Sequence, residues 1–91
     1  MLRLVTIDLS NADMAAFERY ENAVLAVAPH HGGRLELRVR SLDGRTETHL
    51  LHFPDADAFE AYRNDSARLA LSADWEACGA SSVVQIVERI E

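Results

Sequence analysis

The most constraining feature of the sequence is the dipeptide Asp43-Gly44, which lies between two segments of alternating apolar and polar residues. Alternation with a period of two is typical of strands with one buried face, and Asp-Gly is a strong signal for a tight hairpin turn. We therefore predict two antiparallel strands, residues 34–42 and 46–53. A two-residue and a four-residue loop give the same strand pairing, whereas a three-residue loop would shift it.

The hairpin register sorts the side chains of these strands into two faces. The turn pairs Arg40 with Glu47 and Arg38 with His49, and successive side chains of a strand point to opposite sides of the sheet. One face therefore carries Leu35, Leu37, Val39, Thr48 and Leu50, and the other carries Arg34, Glu36, Arg38, Arg40, Glu47, His49, Leu51 and Phe53.

The rest of the chain completes a β-α-β-β-α-β order. Residues 3–9 and 82–90 have the β-branched, alternating pattern of strands, and residues 12–28 carry an apolar stripe with helical spacing. Helical segments also lie between Asp55 and Gly79. This order predicts an α+β, ferredoxin-like fold, in which helices cover one face of a four-stranded antiparallel sheet.

The second face of such a sheet needs a cover of its own. We expect this open face to hold Leu4, Leu51, Phe53 and either Val83 or Val87, all of them apolar. A second copy that packs the same face against it is the simplest cover, and it gives a two-fold symmetric homodimer. A small chain also gains core by pairing with itself.

Composition predicts a single globular domain that spans residues 1–91, since 48% of the residues are hydrophobic and 26% are charged. The net charge of −6 disfavours nucleic acid and anionic membranes as partners. Cys78 is the only cysteine, as in proteins of reducing compartments. The first apolar run is interrupted by Asp8 and is too short for a signal peptide or a membrane span. We therefore expect a cytoplasmic protein.

Three segments resemble a family of small bacterial proteins of unknown function in the dimeric α/β-barrel superfamily. They are Phe17-Glu18-Arg19-Tyr20, His31-Gly32-Gly33-Arg34 and the run FPDADAFEAYR at residues 53–63, and the similarity extends over nearly the whole chain. The resemblance implies a homodimer whose two sheets face each other and enclose a barrel. Other branches of the superfamily include cofactor-independent quinone-forming monooxygenases, haem-degrading monooxygenases and lactone isomerases. One departure is Asp65-Ser66-Ala67, which stands where relatives usually have Pro-Glu-Tyr.

Four ionisable side chains share the polar face of the hairpin, and the resemblance would point this face into the barrel. Charges in such a place must pair or meet water. One interpretation is structural: Arg40 pairs with Glu47, and Arg38 pairs with Glu47 or Glu36, each pair contributing roughly a few tenths of a kcal/mol. The four side chains are Arg38, Arg40, Glu47 and His49.

The other interpretation of this face is a ligand pocket. Arg38 would bind a carboxylate or an enolate, and His49 would transfer a proton near neutral pH. Aromatic residues would supply the apolar walls; the candidates are Phe53, Tyr62 and Trp75.

We expect neither a metal nor a cofactor. His49 and His52 are three residues apart on one strand and point to opposite faces, and no Cys-x-x-Cys or His-Glu-x-x-His motif is present. Haem-degrading relatives combine a tryptophan with an asparagine on the first strand and a later histidine. Of these three residues only the tryptophan has a counterpart here, Trp75. Gly32-Gly33 follows a helix instead of preceding one, so it is not a phosphate loop.

Two functions stay open at this level. The first is a homodimer that binds a small anionic or aromatic ligand in the barrel, or that serves only as an assembly module. The second is a cofactor-independent monooxygenase or isomerase that uses Arg38 and His49 on a hydrophobic enol or phenol. A cavity beside Arg38 and His49 that holds a bound anion would favour the enzyme, and a His49 enclosed by other side chains with no cavity beside it would exclude it.

Overall fold

The structure, a computed structural model, describes residues 1–91 and is built on a four-stranded antiparallel sheet with the strand order β2-β3-β1-β4. This topology confirms the predicted ferredoxin-like fold. None of the helices is long and apolar enough to cross a membrane. The strands are β1 (Leu2–Asp8), β2 (Arg34–Arg40), β3 (Thr46–His52) and β4 (Ser81–Val87), the helices are α1 (Met14–Leu25), α2 (Ala56–Arg63), α3 (Ser66–Leu69) and α4 (Ser72–Cys78), and a 3₁₀ turn covers Ala28–His31.

Aspartate caps determine where three of the helices begin. Asp13, Asp55 and Asp65 each lie one residue before a helix, and the side chain of each accepts a backbone N–H of the first turn at 3.1, 2.8 and 2.8 Å. Such caps satisfy donors that the start of a helix leaves without a partner. The second half of the chain is consequently divided into short helices.

The hairpin forms with the predicted register. The Cα partners include Arg40 with Glu47 and Arg38 with His49. Gly44 has a φ of +75°, a left-handed conformation that favours glycine. The register shifts at a β-bulge between Leu35 and Leu37, because two residues of β2 stand there opposite one residue of β3.

The helices cover the face of the hairpin that carries Glu47, His49 and Leu51, which are 2%, 1% and 3% exposed. The expectation that Leu51 and Phe53 lie on the open face is therefore wrong, and so is the expectation that the charged face points away from the helices. Phe53 is fully buried against aromatic rings of α2. Alternation along a strand separates two faces, but it contains no information on which face receives the helices.

The open face of the sheet instead carries the other alternating set, except Leu35, which the bulge places opposite the buried Leu51. Leu37, Val39 and Val83 are 49%, 47% and 63% exposed, and Leu4 and Leu50 beside them are half-buried. The sheet therefore presents an apolar surface on the side away from the helices.

Two buried apolar clusters lie between the sheet and the helices. One surrounds Phe53 and Tyr62, and the other surrounds Phe17 and Cys78. Trp75 of α4 packs against both clusters. The interior is thus divided into two centres with a single tryptophan between them.

Candidate functional site

A cavity of about 260 Å³ lies between the sheet and the helices, where the two apolar clusters meet. Its walls are mostly apolar and aromatic, and a few ionisable side chains interrupt them, which is the composition typical of small-molecule sites. The lining residues are Val5, Ile7, Tyr20, Glu21, Val24, His49, Leu51, Phe59, Tyr62, Arg63, Arg68, Leu69, Ser72, Trp75, Ser82 and Val84.

His49 connects this cavity to a charged cluster beneath α1. Its Nε2 atom lies 2.6 Å from Oε2 of Glu47, and its Nδ1 atom lies 3.5 Å from Oε1 of Glu21. All three side chains are buried. The imidazole thus stands between a carboxylate in the cavity wall and a carboxylate outside it.

Glu47 is held by arginines from the neighbouring strand. Arg38 Nε donates to Oε2 at 3.0 Å, and Arg40 donates to Oε1 from Nε and Nη2 at 3.0 and 2.8 Å. Burial alone would raise the pKa of Glu47, but hydrogen bonds from His49, Arg40 and Arg38 hold it below its ordinary value. Glu47 is therefore an ionised acceptor that keeps the proton of His49 on Nε2.

Glu21 has the opposite electrostatic environment. Burial raises its pKa to about 7, with nearby Glu47 adding to this effect and Arg38 and Arg68 opposing it. Burial also lowers the pKa of His49, although the hydrogen bond to Glu47 counteracts it. Near neutral pH the cavity therefore contains a carboxyl group close to its midpoint of ionisation beside a neutral imidazole, a combination suited to proton transfer.

Aromatic rings form the walls around these groups. The rings of Tyr20 and Trp75 are 5.1 Å apart between centroids, and the hydroxyl of Tyr62 lies 3.5 Å from the carbonyl oxygen of Val24. Burial raises the pKa of both tyrosines, so their hydroxyl groups remain protonated and can donate hydrogen bonds. The walls thus combine flat apolar surfaces with weak donors.

Half of the predicted site residues line this cavity: His49, Tyr62 and Trp75. The other half, Arg38, Arg40 and Glu47, form the predicted cross-strand ion pairs instead, outside the cavity. Phe53, expected in the wall, belongs to the core.

Sequence reasoning missed Glu21 and Arg68. Glu21 follows Phe17 by four residues and precedes Val24 by three, so it lies on the apolar stripe of α1. A charged residue on a buried stripe is the signal that could have identified it. No comparable signal points to Arg68, because its position depends on the break between α2 and α3.

The remaining histidines have other surroundings. His31 Nε2 lies 2.7 Å from Oδ2 of Asp65, and His52 is half-buried at the far end of β3. No group of three or more His, Cys, Asp or Glu side chains is arranged to hold a metal ion.

Several solved structures share this fold. SnoaB, a cofactor-independent oxygenase from Streptomyces nogalater, has a TM-score of 0.74 at 16% identity, covering 97% of this chain and 93% of that one. Rv0793 from Mycobacterium tuberculosis has a TM-score of 0.71 at 11% identity, with coverages of 99% and 98%. A proposed antibiotic biosynthesis monooxygenase from Nitrosomonas europaea has a TM-score of 0.69 at 11% identity, with coverages of 96% and 98%. At these identities the similarity concerns the fold alone.

Comparison with curated proteins gives no significant match. A family model, in contrast, matches residues 2–91, nearly the whole chain. The match and the fold confirm the predicted placement in the dimeric α/β-barrel superfamily. The chain belongs to the NIPSNAP family.

Proposed function

We propose that this chain is an enzyme that removes a proton from a small enol or phenol bound in the cavity, with Glu21 as the general base. The observation that supports this proposal most directly is the position of the Glu21 carboxylate in the cavity wall. Its Oε1 atom lies 3.5 Å from Nδ1 of His49, whose Nε2 atom is hydrogen-bonded to Glu47. His49 lines the cavity and is therefore not enclosed in the way that would exclude an enzyme, whereas Arg38 lies outside the cavity.

The three ionisable groups have distinct roles in this proposal. Glu21 accepts the proton of the substrate, and Nδ1 of His49 is placed to share it. The ionised Glu47 stabilises the positive charge that then develops on the imidazole. Arg38 is a positioning residue, because it holds Glu47 and does not line the cavity.

Removal of the proton leaves an electron-rich enolate or phenolate. In a cofactor-independent oxygenase this anion reacts with O₂, and a phenol becomes a quinone while water carries away the second oxygen atom. In an isomerase the anion takes the proton back at another atom. The fold shared with a cofactor-independent oxygenase supports the first reaction class.

The test is a comparison of proton transfer in the wild type and in Glu21→Gln. Naphthols are incubated in air and followed by O₂ uptake and quinone absorbance, and cyclic 1,3-diketones are followed by NMR for deuterium exchange. We expect catalysis over buffer by the wild type and a loss of about 100-fold or more in Glu21→Gln. Glu76→Gln, an exposed substitution on α4 outside the cavity, is the matched control and should retain the rate.

Two results would contradict the proposal: no catalysis with either class of substrate, or an unchanged rate in Glu21→Gln. Binding of the same compounds without turnover would favour the second candidate function, a ligand-binding protein. The apolar and aromatic walls of the cavity support that candidate independently of Glu21.

We also propose that two copies form a homodimer through the open face of the sheet. The exposed Leu37, Val39 and Val83 support this arrangement, as does the superfamily to which the fold belongs. A specific dimer would bury on the order of 1,200 Å² or more in total. A single, buried cysteine, Cys78, supports the cytoplasm as the site of action.

A further inference from the structure

Arg68 lines the cavity, and the proposed proton transfer gives it no role. It lies on α3, and its guanidinium group stacks over the ring of Tyr62 at 4.9 Å from the centroid. No carboxylate lies within 4.0 Å of it, although Arg63, the other arginine of the cavity wall, is paired with Glu60. Arg68 therefore contributes to the cavity wall a cation that makes no ion pair within 4.0 Å.

The guanidinium group of Arg68 also lacks one hydrogen-bond acceptor. Its Nε atom is buried and has no acceptor, and its Nη1 atom donates to the carbonyl oxygen of Arg63 at a long 3.4 Å. Buried donors normally have partners, so each exception needs an explanation. An acceptor supplied by a bound molecule would satisfy this group.

The planar guanidinium group selects the chemistry of that acceptor. Arginine presents two parallel N–H groups that match the two oxygens of a carboxylate. Stacking on an aromatic ring fixes the plane of these N–H groups before a ligand binds. The size of the cavity, about 260 Å³, is near the lower limit of ligand sites, which are roughly 300–1,000 Å³. The acceptor therefore belongs to a small molecule.

We infer that Arg68 binds a carboxylate of the ligand, so that the substrate is a small enolic or phenolic carboxylic acid. This inference rests on the proposed function for the acidic hydroxyl group, and it adds the second functional group of the same molecule. Glu21 faces the group that loses a proton, and Arg68 holds the group that is already ionised. Both contacts together orient the molecule between the aromatic walls.

The competing explanation is that Arg68 only stabilises Tyr62 by stacking. The two explanations differ for a matched pair of ligands, benzoate and benzamide, which have the same shape and differ in charge. We expect calorimetry at neutral pH to show that the wild type binds benzoate at least about tenfold more tightly than benzamide. This comparison needs no variant, so it stands even if a substitution at Arg68 prevents folding.

The variants then assign the selectivity to one residue. In Arg68→Gln the affinity for benzoate should fall by about tenfold or more while the affinity for benzamide stays within about twofold. Arg19→Gln removes the same charge from the exposed surface of α1, outside the cavity, and should leave both affinities unchanged. Equal binding of the two ligands by the wild type, no binding of benzoate, or full selectivity in Arg68→Gln would overturn the inference.

Failure of this inference is distinguishable from failure of the proposed function. Loss of turnover in Glu21→Gln together with unselective binding would contradict the carboxylate site at Arg68 and support the proposed proton transfer. Selective binding of benzoate through Arg68 without turnover of any phenol or enol would support the carboxylate site and contradict the proposed enzymatic function.

Discussion

Glu21 shows how the position of one side chain on a helix determines its chemistry. The residue belongs to the inward stripe of α1, so its carboxyl group is buried among apolar neighbours and beside Glu47. A carboxylate in such a place is costly, and the protein therefore favours the protonated form well above the ordinary pKa. The same cost that makes Glu21 a suitable base makes its ionisation destabilising.

The first prediction concerns stability. The folded-state pKa of Glu21, about 7, is above its ordinary value of 4.5, so the folded state binds more protons than the unfolded state between these values and stability falls as pH rises through this window. Urea unfolding should show that Glu21→Gln removes this fall and is the more stable protein above pH ~7, by up to about 3 kcal/mol. Parallel pH profiles for Glu21→Gln and the wild type would contradict the pKa shift.

The second prediction concerns the rate of the proposed reaction. A general base acts in its deprotonated form, so kcat/KM should rise with pH and level off above the Glu21 pKa of about 7. Steady-state kinetics between roughly pH 5 and 9 will show this profile. A rate that is constant through neutrality would exclude Glu21 as the base.

At the scale of elements, the division of the second half of the chain into short helices places Arg68 and Leu69 beside the cavity. Asp65 is central to this division, because it caps α3 and also accepts from His31 at 2.7 Å. The hydrogen bond from His31, followed by that from Ala67, lowers the pKa of Asp65. One side chain thus ties the start of α3 to the 3₁₀ turn after α1.

The third prediction follows from this contact. A lowered folded-state pKa means that Asp65 stabilises the protein above its ordinary pKa of 3.8 and that this contribution disappears as pH falls through the folded-state value. Asp65→Asn keeps a capping oxygen and loses the charge. Thermal unfolding should show that this variant is less stable than the wild type at neutral pH and that the difference vanishes in acid. A constant difference at all pH values would assign the effect to the cap alone.

The fourth prediction concerns the entry into β2. A Cβ atom at Gly33 would lie 2.5 Å from Cε1 of Phe53, which is fully buried and cannot move aside. Gly33→Ala should therefore destabilise the protein by about 1–3 kcal/mol in chemical denaturation. Phe53→Leu in the Gly33→Ala background should recover part of that loss, whereas strictly additive losses would show that the two residues do not clash.

The elements show which features of this molecule are accessible from sequence. The Asp43-Gly44 turn and the spacing on either side of it are local signals, and they predicted the register around Arg40 and Glu47 correctly. The side that receives the helices depends on how α1 and α2 return over the sheet, which no pattern within the hairpin encodes. The predicted environment of Leu51 and Phe53 is therefore wrong, and the pocket on the His49 face lies beneath the helices instead of between two sheets.

The candidate site was less predictable from sequence than the hairpin register, because it also depends on how the helices pack over the sheet. His49, Tyr62 and Trp75 were identified as chemically useful residues, but their common location is a consequence of tertiary packing. The bulge between Leu35 and Leu37 was not predicted either, since nothing in the alternation of β2 marks it.

At the scale of the whole molecule, the sheet has one face covered by helices and one exposed apolar face. The net charge of −6 disfavours association over long distances, whereas contact between apolar faces in the proposed dimer acts at short range and would outweigh this repulsion. Glu47 and His49 contribute nothing to this surface, because they are buried on the opposite face, where Arg38 and Arg40 pair with Glu47. The proposed dimer therefore depends on the alternating apolar set of the opposite face.

The fifth prediction tests this interface. Light scattering at micromolar concentration should give twice the chain mass of 10.1 kDa for the wild type. Val39→Glu places a charge on the open face and should yield monomers. Leu42→Glu alters a fully exposed residue at the tip of the hairpin, away from that face, and should remain dimeric. A monomeric wild type would contradict the dimer, and a dimeric Val39→Glu would place the interface elsewhere.

Trp75 is the only tryptophan of the chain, it lines the cavity, and its ring lies 5.1 Å from that of Tyr20. Its fluorescence consequently originates at a single known place, and a molecule that enters the cavity changes the polarity around the one indole that emits. Ligand titrations, the acid transition of Glu21 and the loss of packing on unfolding can all be followed through this intrinsic signal. The protein thus contains an optical reporter of the candidate site, and a search for ligands of this cavity needs no dye or label.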